Sequence, residues 1–158
     1  MKPTFAVLLR HYPKKKDVTH EELFKELGWD ELINNFNFTN TCAVRVSLAL
    51  VKSGMPIPGR MKVEAGAYKG RRIETGQALL SRALAHKSLL GPPERYRDGK
   101  AAGAIGSRSG IVSFWRLNPA IGDTQGHIDI VSPATGGIQA CGTACYWGAG
   151  EVWFWPIR

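Results

Sequence analysis

Residues 38–50 read FTNTCAVRVSLAL. Polar Thr39, Asn40 and Thr41 precede an apolar run, and Cys42, one of three cysteines, stands where the two meet. Asn40 or Thr41 can cap a helix N-terminus through its side-chain oxygen. From Cys42 onward, Val46, Ala49 and Leu50 recur at helical spacing, and Ala43 and Val51 widen the stripe. Gly54, Pro56 and Pro58 end it. The stretch therefore reads as a largely buried helix with a thiol in its first turn. The free N–H groups and the dipole at a helix start stabilise negative charge and so favour the nucleophilic thiolate. A cysteine that only fills space needs no such position.

A nucleophilic thiol needs a base nearby. Of four histidines, His11 follows the N-terminal arm and precedes Lys14-Lys15-Lys16, a run that reads as a solvated loop. His20 falls in the first turn of a helix, and His86 falls late on another, where a cation meets the dipole favourably. His127 differs, because it opens a strand in GHIDIV directly after Gly126, where a substrate can come close. It is the candidate base. Two residues could orient its ring. Asp129 lies two positions on, so both side chains share a strand face, although such neighbours usually meet with poor geometry. Gln139 lies on the next predicted strand, where it could sit opposite His127.

The remaining chain supplies a frame for these residues. THEELFKEL, 19–27, has the Thr19/Glu22 capping box, a Val18/Leu23 staple and Gly28 as its stop, and WDELINN is expected to add a turn or two. The segment ETGQALLSRALAHKSLLGPP gives another helix, with Leu79, Leu80, Ala83 and Leu84 as its stripe. The N-terminal MKPTFAVLLR is expected to be a strand or a buried arm, and residues 92–110, rich in glycine, a flexible loop. Their GAIGSRSG lacks the G-K-[ST] of a phosphate-cradling loop. GIVSFWRL, GHIDIV, GGIQAC and EVWFW then read as short strands. Helices followed by antiparallel strands make the class α+β.

The length of 158 residues suits a single domain over 1–158. A formal net charge of +8 favours acidic partners, such as nucleic acid, anionic lipid or an anionic wall polymer, without choosing among them. No run approaches the roughly 18 apolar residues of a membrane span. The N-terminus lacks the small-residue cleavage site of a signal peptide, so synthesis in the cytosol without general secretion is expected. The late pair Cys141 and Cys145 fits either a disulfide, leaving Cys42 free, or half of a zinc site, for which His127 is the only nearby histidine. A disulfide implies an oxidising workplace, at odds with the missing signal peptide.

FTNTCAVRVSLALVKSGMPIP, followed much later by GHIDIV and ACYW, resembles the type VI secretion amidase effectors, family four. The resemblance spans most of the chain in order and is most specific at NTCAVR and GHID. It implies a papain-like, NlpC-type single domain, with N-terminal helices packed on a C-terminal antiparallel sheet. It implies a cysteine amidase, Cys42 the nucleophile and His127 the base, cutting peptidoglycan stem peptides between D-glutamate and meso-diaminopimelate without metal or cofactor. The family's third residue is usually an aspartate on the strand after the histidine. Here GGIQACGTAC carries no carboxylate, so the role falls to Asp129 or Gln139. A C-terminal disulfide is common in the family and suits Cys141 and Cys145. The implied partners are the type VI machinery and a cognate immunity protein, and the implied workplace is a target cell's periplasm, which also resolves the tension over secretion. Two other classes fit the same residues. A papain-like acyltransferase or deamidase would use the same Cys/His site, and a basic nucleic-acid-binding domain would stack bases on some of the five tryptophans.

Overall fold

The computed structural model describes residues 2–158. Its elements run α1 (Phe5–His11), α2 (His20–Leu27), α3 (Cys42–Lys52), β1 (Met61–Lys62), β2 (Arg72–Ile73), α4 (Gln77–Leu84), β3 (Glu94–Tyr96), α5 (Ala101–Ile105), β4 (Gly110–Trp115), β5 (His127–Pro133), β6 (Gln139–Cys141) and β7 (Glu151–Pro156). Helices dominate the first half, and most of the antiparallel sheet comes from the second, so the α+β class holds.

The N-terminal stretch, expected to be a strand or a buried arm, is a helix. Thr4 caps α1 by accepting from the Val7 N–H at 3.3 Å. Phe5 and Leu8, three residues apart, are buried on one face of that helix. Helix α2 forms as read. Its capping box is complete, with Thr19 Oγ1 accepting from Glu22 N–H and Glu22 Oε1 accepting from Thr19 N–H, each at 3.1 Å. Gly28 ends it at φ +75°, and a Cβ there would lie 2.9 Å from that of Ala65, so the close approach also needs glycine. The chain then makes 3-10 turns at Asp30–Leu32 and Phe36–Phe38 before reaching α3.

Helix α3 is buried on every side from Cys42 to Val51, more than a single apolar stripe requires. Its two buried polar residues, Arg45 and Ser47, find partners inside the protein. Ser47 Oγ donates to the Glu74 carbonyl at 3.0 Å. Arg45 donates from Nε to Thr41 Oγ1 at 2.9 Å, and from Nη1 to the carbonyls of Pro13 and Val18 at 2.8 Å. The polar side of the helix is thus covered by the 12–18 segment instead of by water.

The five-stranded sheet has the order β3-β7-β4-β5-β6, all antiparallel. One face packs on the helices, with Ile111, Ile128, Ile130 and Trp155 in that core. The other carries a smaller cluster built from Val112, Phe114, Val131 and Phe154 together with Ala101 and Ile105 of α5. Residues 92–110, expected to be a loop, supply β3 and α5. Ala101 and Ile105 lie one helical turn apart and cover this second face, a burial that the surrounding glycines conceal in the sequence. Leu79, placed on the buried stripe of α4, is exposed, while Leu80 and Leu84 are buried. Strand β6 is short and pairs only with Val131, Ser132 and Pro133. Among the described residues no strand pairs with the outer side of the first half of β5, and that edge is where the polar residues collect.

Candidate active site

Cys42 is the first residue of α3 and a free thiol, 6 % exposed. Its backbone N–H donates to Asn40 Oδ1 at 3.1 Å. Thr41 occupies the N-cap position without a side-chain cap bond, so of the two expected caps it is Asn40 that serves the helix start. The thiol faces a cleft of about 220 Å³ whose walls include Asn40, Gln125, His127, Thr143 and Tyr146. Lys15 and Arg45 also line it, and no acidic side chain does among the described residues.

His127 starts β5 with its ring parallel to that of Phe114 across the β4–β5 pair, centroids 6.1 Å apart, and with Tyr146 edge-on at 5.2 Å. Its Nε2 meets Asp129 Oδ2 at 2.8 Å. Asp129 accepts from two backbone N–H groups through the same oxygen, so Nε2 carries the proton in this bond. That leaves Nδ1 free for Cys42, which shares the same cleft. Burial pulls the imidazole pKa down, but the bonds to Asp129 and Cys42 and their charges outweigh it and raise it to about 9. The imidazolium is thus the favoured form beside the sulfur at neutral pH.

Asp129 is fully buried, and five donors converge on it. Oδ1 accepts from the Ile130 N–H at 2.8 Å and the Tyr12 hydroxyl at 3.1 Å. Oδ2 accepts from His127 and from the N–H groups of Thr143 at 2.8 Å and Ala144 at 3.1 Å. That number of donors uses the acceptor capacity of an ionised carboxylate. The i, i+2 pair on β5 is therefore well formed despite the usual geometry, because bonds from outside the strand turn the carboxylate toward the ring.

Gln139 lies elsewhere. It pairs with Pro133, not His127, and its amide donates to the carbonyls of Ala102 and Gly106 under α5. The connection between β5 and β6 places it at the far end of the strand pair. Cys141 and Cys145 are joined in a disulfide, so neither sulfur is a metal ligand. The remaining histidines have local surroundings: His20 packs against Phe24 with ring centroids 4.3 Å apart, and His86 Nδ1 lies 2.9 Å from Ser88 Oγ. Trp29, Trp153 and Trp155 are buried and offer no stacking platform for bases.

Three features of this site lie outside the sequence reading: Tyr12, the two backbone amides inside the disulfide loop, and the Asn40 bond to the backbone N–H of Cys42. The amides leave no residue-type signal, and Tyr12 sits between the segment read as an arm and the lysine run. Asn40 was visible only as a possible cap.

The family model for type VI secretion system amidase effector protein 4 matches residues 38–155. Among solved structures, the chain is similar to the type VI effector in its effector–immunity complex from Enterobacter cloacae, with a TM-score of 0.76 and 21 % identity over the whole of both chains. It is equally similar to the effector of the corresponding complex from Salmonella Typhimurium, with a TM-score of 0.76 and 20 % identity over the whole of both chains. The effector alone from Enterobacter cloacae gives 0.74 at 20 % identity, over all of this chain and 98 % of that one. No curated protein matches the sequence.

Proposed function

The chain belongs to the type VI secretion amidase effector 4 family, and we propose that its amidase reaction is performed by Cys42, His127 and Asp129 on peptidoglycan stem peptides. The observation that carries this reading is the grouping, on one cleft, of a thiol at a helix start with a raised imidazole that is bonded to a buried carboxylate.

The Cys42 thiolate attacks the scissile amide carbonyl, its proton resting on His127 Nδ1. Negative charge develops on the carbonyl oxygen at the N-terminus of α3, where the Cys42 N–H points. In the free site that N–H serves Asn40 Oδ1, so the oxyanion takes it over from Asn40 as the substrate seats. The imidazolium then protonates the leaving amine, and an acyl-enzyme thioester remains. His127 next draws a proton from water, hydroxide adds to the thioester, and the thiol leaves. Asp129 keeps Nε2–H occupied, so Nδ1 faces the sulfur through the whole cycle.

The substrate assignment draws on two things. The cleft is bordered by cationic Lys15 and by no acid among the described residues, which suits a peptide rich in free carboxylates. The family resemblance specifies the bond between D-glutamate and meso-diaminopimelate. Two of the similar structures are effector–immunity complexes, and we assign this chain a cognate immunity protein as well. Its workplace is then the periplasm of a target cell, where the Cys141–Cys145 disulfide is stable. Among the described residues no helix is long and apolar enough to cross a membrane.

Mass spectrometry of muropeptides after incubation with the protein tests the reading. Stems cut after D-glutamate with the mass of one water added support it. Products that gain an amine instead assign acyl transfer, and cutting at another bond overturns the substrate assignment.

A further inference from the structure

We propose that Tyr12 is a positioning residue of the amidase reaction, its hydroxyl fixing Asp129 and, through Asp129, the His127 ring. The inference rests on the catalytic reading above. Tyr12 comes from the C-cap of α1, 117 positions away from Asp129 in the chain, and is 5 % exposed. Its hydroxyl donates to Oδ1 at 3.1 Å, beside the Ile130 N–H at 2.8 Å. Oδ2 is thereby left for His127 Nε2 and the loop amides. A terminal carboxylate torsion has a broad profile, so without donors on each oxygen the group can turn. Tyr12 and Ile130 hold one oxygen so that the other stays on the imidazole.

The surrounding packing supports a positioning role. The carbonyl of Pro13, the residue after Tyr12, accepts from Arg45 Nη1 at 2.8 Å, and Arg45 lies on the same helix as Cys42, three positions on. Helix α3 thus carries the nucleophile and also pins the segment that brings Tyr12 under the base. Opposite Tyr12, a Cβ at Gly142 would lie 2.5 Å from the tyrosine ring and 2.7 Å from Asp129 Oδ1, so the contact has no slack. Burial and then the Asp129 charge hold the phenol well above its ordinary range, which keeps it a donor at every working pH.

The test uses the full chain and purified muropeptides. Losing a hydrogen bond to a charged group predicts that Tyr12→Phe lowers kcat about tenfold. KM stays unchanged, because Tyr12 does not line the cleft. Alkylation of Cys42 by iodoacetamide at about pH 6, which reports the imidazolium facing the sulfur, slows in parallel. In an Asp129→Asn background, Tyr12→Phe causes no further slowing. Gly142→Ala presses on the same contact from the other side and gives the same pattern, so it serves as the test where Tyr12→Phe fails to fold. A lowered melting temperature with unchanged kcat and alkylation makes Tyr12 merely structural and overturns the proposal, as does a slowing that multiplies with Asp129→Asn. Activity that persists in Cys42→Ala refutes the catalytic reading itself. Cys42-dependent activity that ignores Tyr12→Phe refutes only the role of Tyr12.

Discussion

Helix α3 and the loop from Cys141 to Cys145 hold opposite sides of one site by different means. Helix α3 is buried along nearly its whole length and presents the Cys42 thiol from its first turn. The loop leaves the end of a three-residue strand, is closed by a single disulfide, and contributes only backbone N–H groups, those of Thr143 and Ala144, to Asp129. Packing fixes Cys42, and a covalent bond closes the loop that clamps Asp129. The difference shows why a short segment at a sheet edge, with little core of its own, can still hold a buried carboxylate in register.

Changing what both regions converge on has the largest expected effect. Asp129→Asn leaves the ring without its charged acceptor and should lower kcat about a hundredfold or more. The pH profile gives a second readout. The imidazolium donates the proton to the leaving amine, so activity should fall as pH rises through about 9, where His127 deprotonates. Without the Asp129 charge the raised pKa drops, and the alkaline limb moves to lower pH. A limb that stays in place in Asp129→Asn would detach Asp129 from the base.

The next effect separates the two means of construction. Ala49 is fully buried in α3, and Ala49→Leu overpacks it at a cost of about 2 kcal/mol. Chemical denaturation should show that loss, while kcat per folded molecule stays near wild type. The disulfide should behave in the opposite way. Replacing both Cys141 and Cys145 by Ser, or reducing the wild type, should lower kcat about tenfold, because a freed loop holds the Thr143 and Ala144 amides less firmly against Oδ2. The closed loop is short, so its stabilisation is about 2 kcal/mol in the chain-entropy view, and the fold survives its loss. Equal kcat with and without the bond would remove the loop from the account. Gln139→Ala should change activity less than about twofold, since its amide serves the carbonyls under α5.

The helix start at Cys42, the strand start at His127 and the capping box of α2 could all be read in the sequence. Each depends on neighbours within a few residues, where periodicity and capping chemistry act. Helix α1 was missed because its short apolar run, FAVLLRH, fits a strand as well as a helix until the docking of Phe5 and Leu8 decides. Helix α5 was missed because glycines flank its two core residues. The third member of the site could be narrowed only to Asp129 or Gln139. The choice depends on the β5–β6 register and on donors from Tyr12, Thr143 and Ala144, contacts that no local pattern encodes.

Hydrolysis of purified muropeptides by Cys42→Ala, set beside wild type and followed by mass spectrometry, tests the central claim most directly. The account predicts that wild type releases cut stems while the variant, with an unchanged melting temperature, leaves them intact. Stems cut by the folded variant at a rate near that of wild type would contradict it.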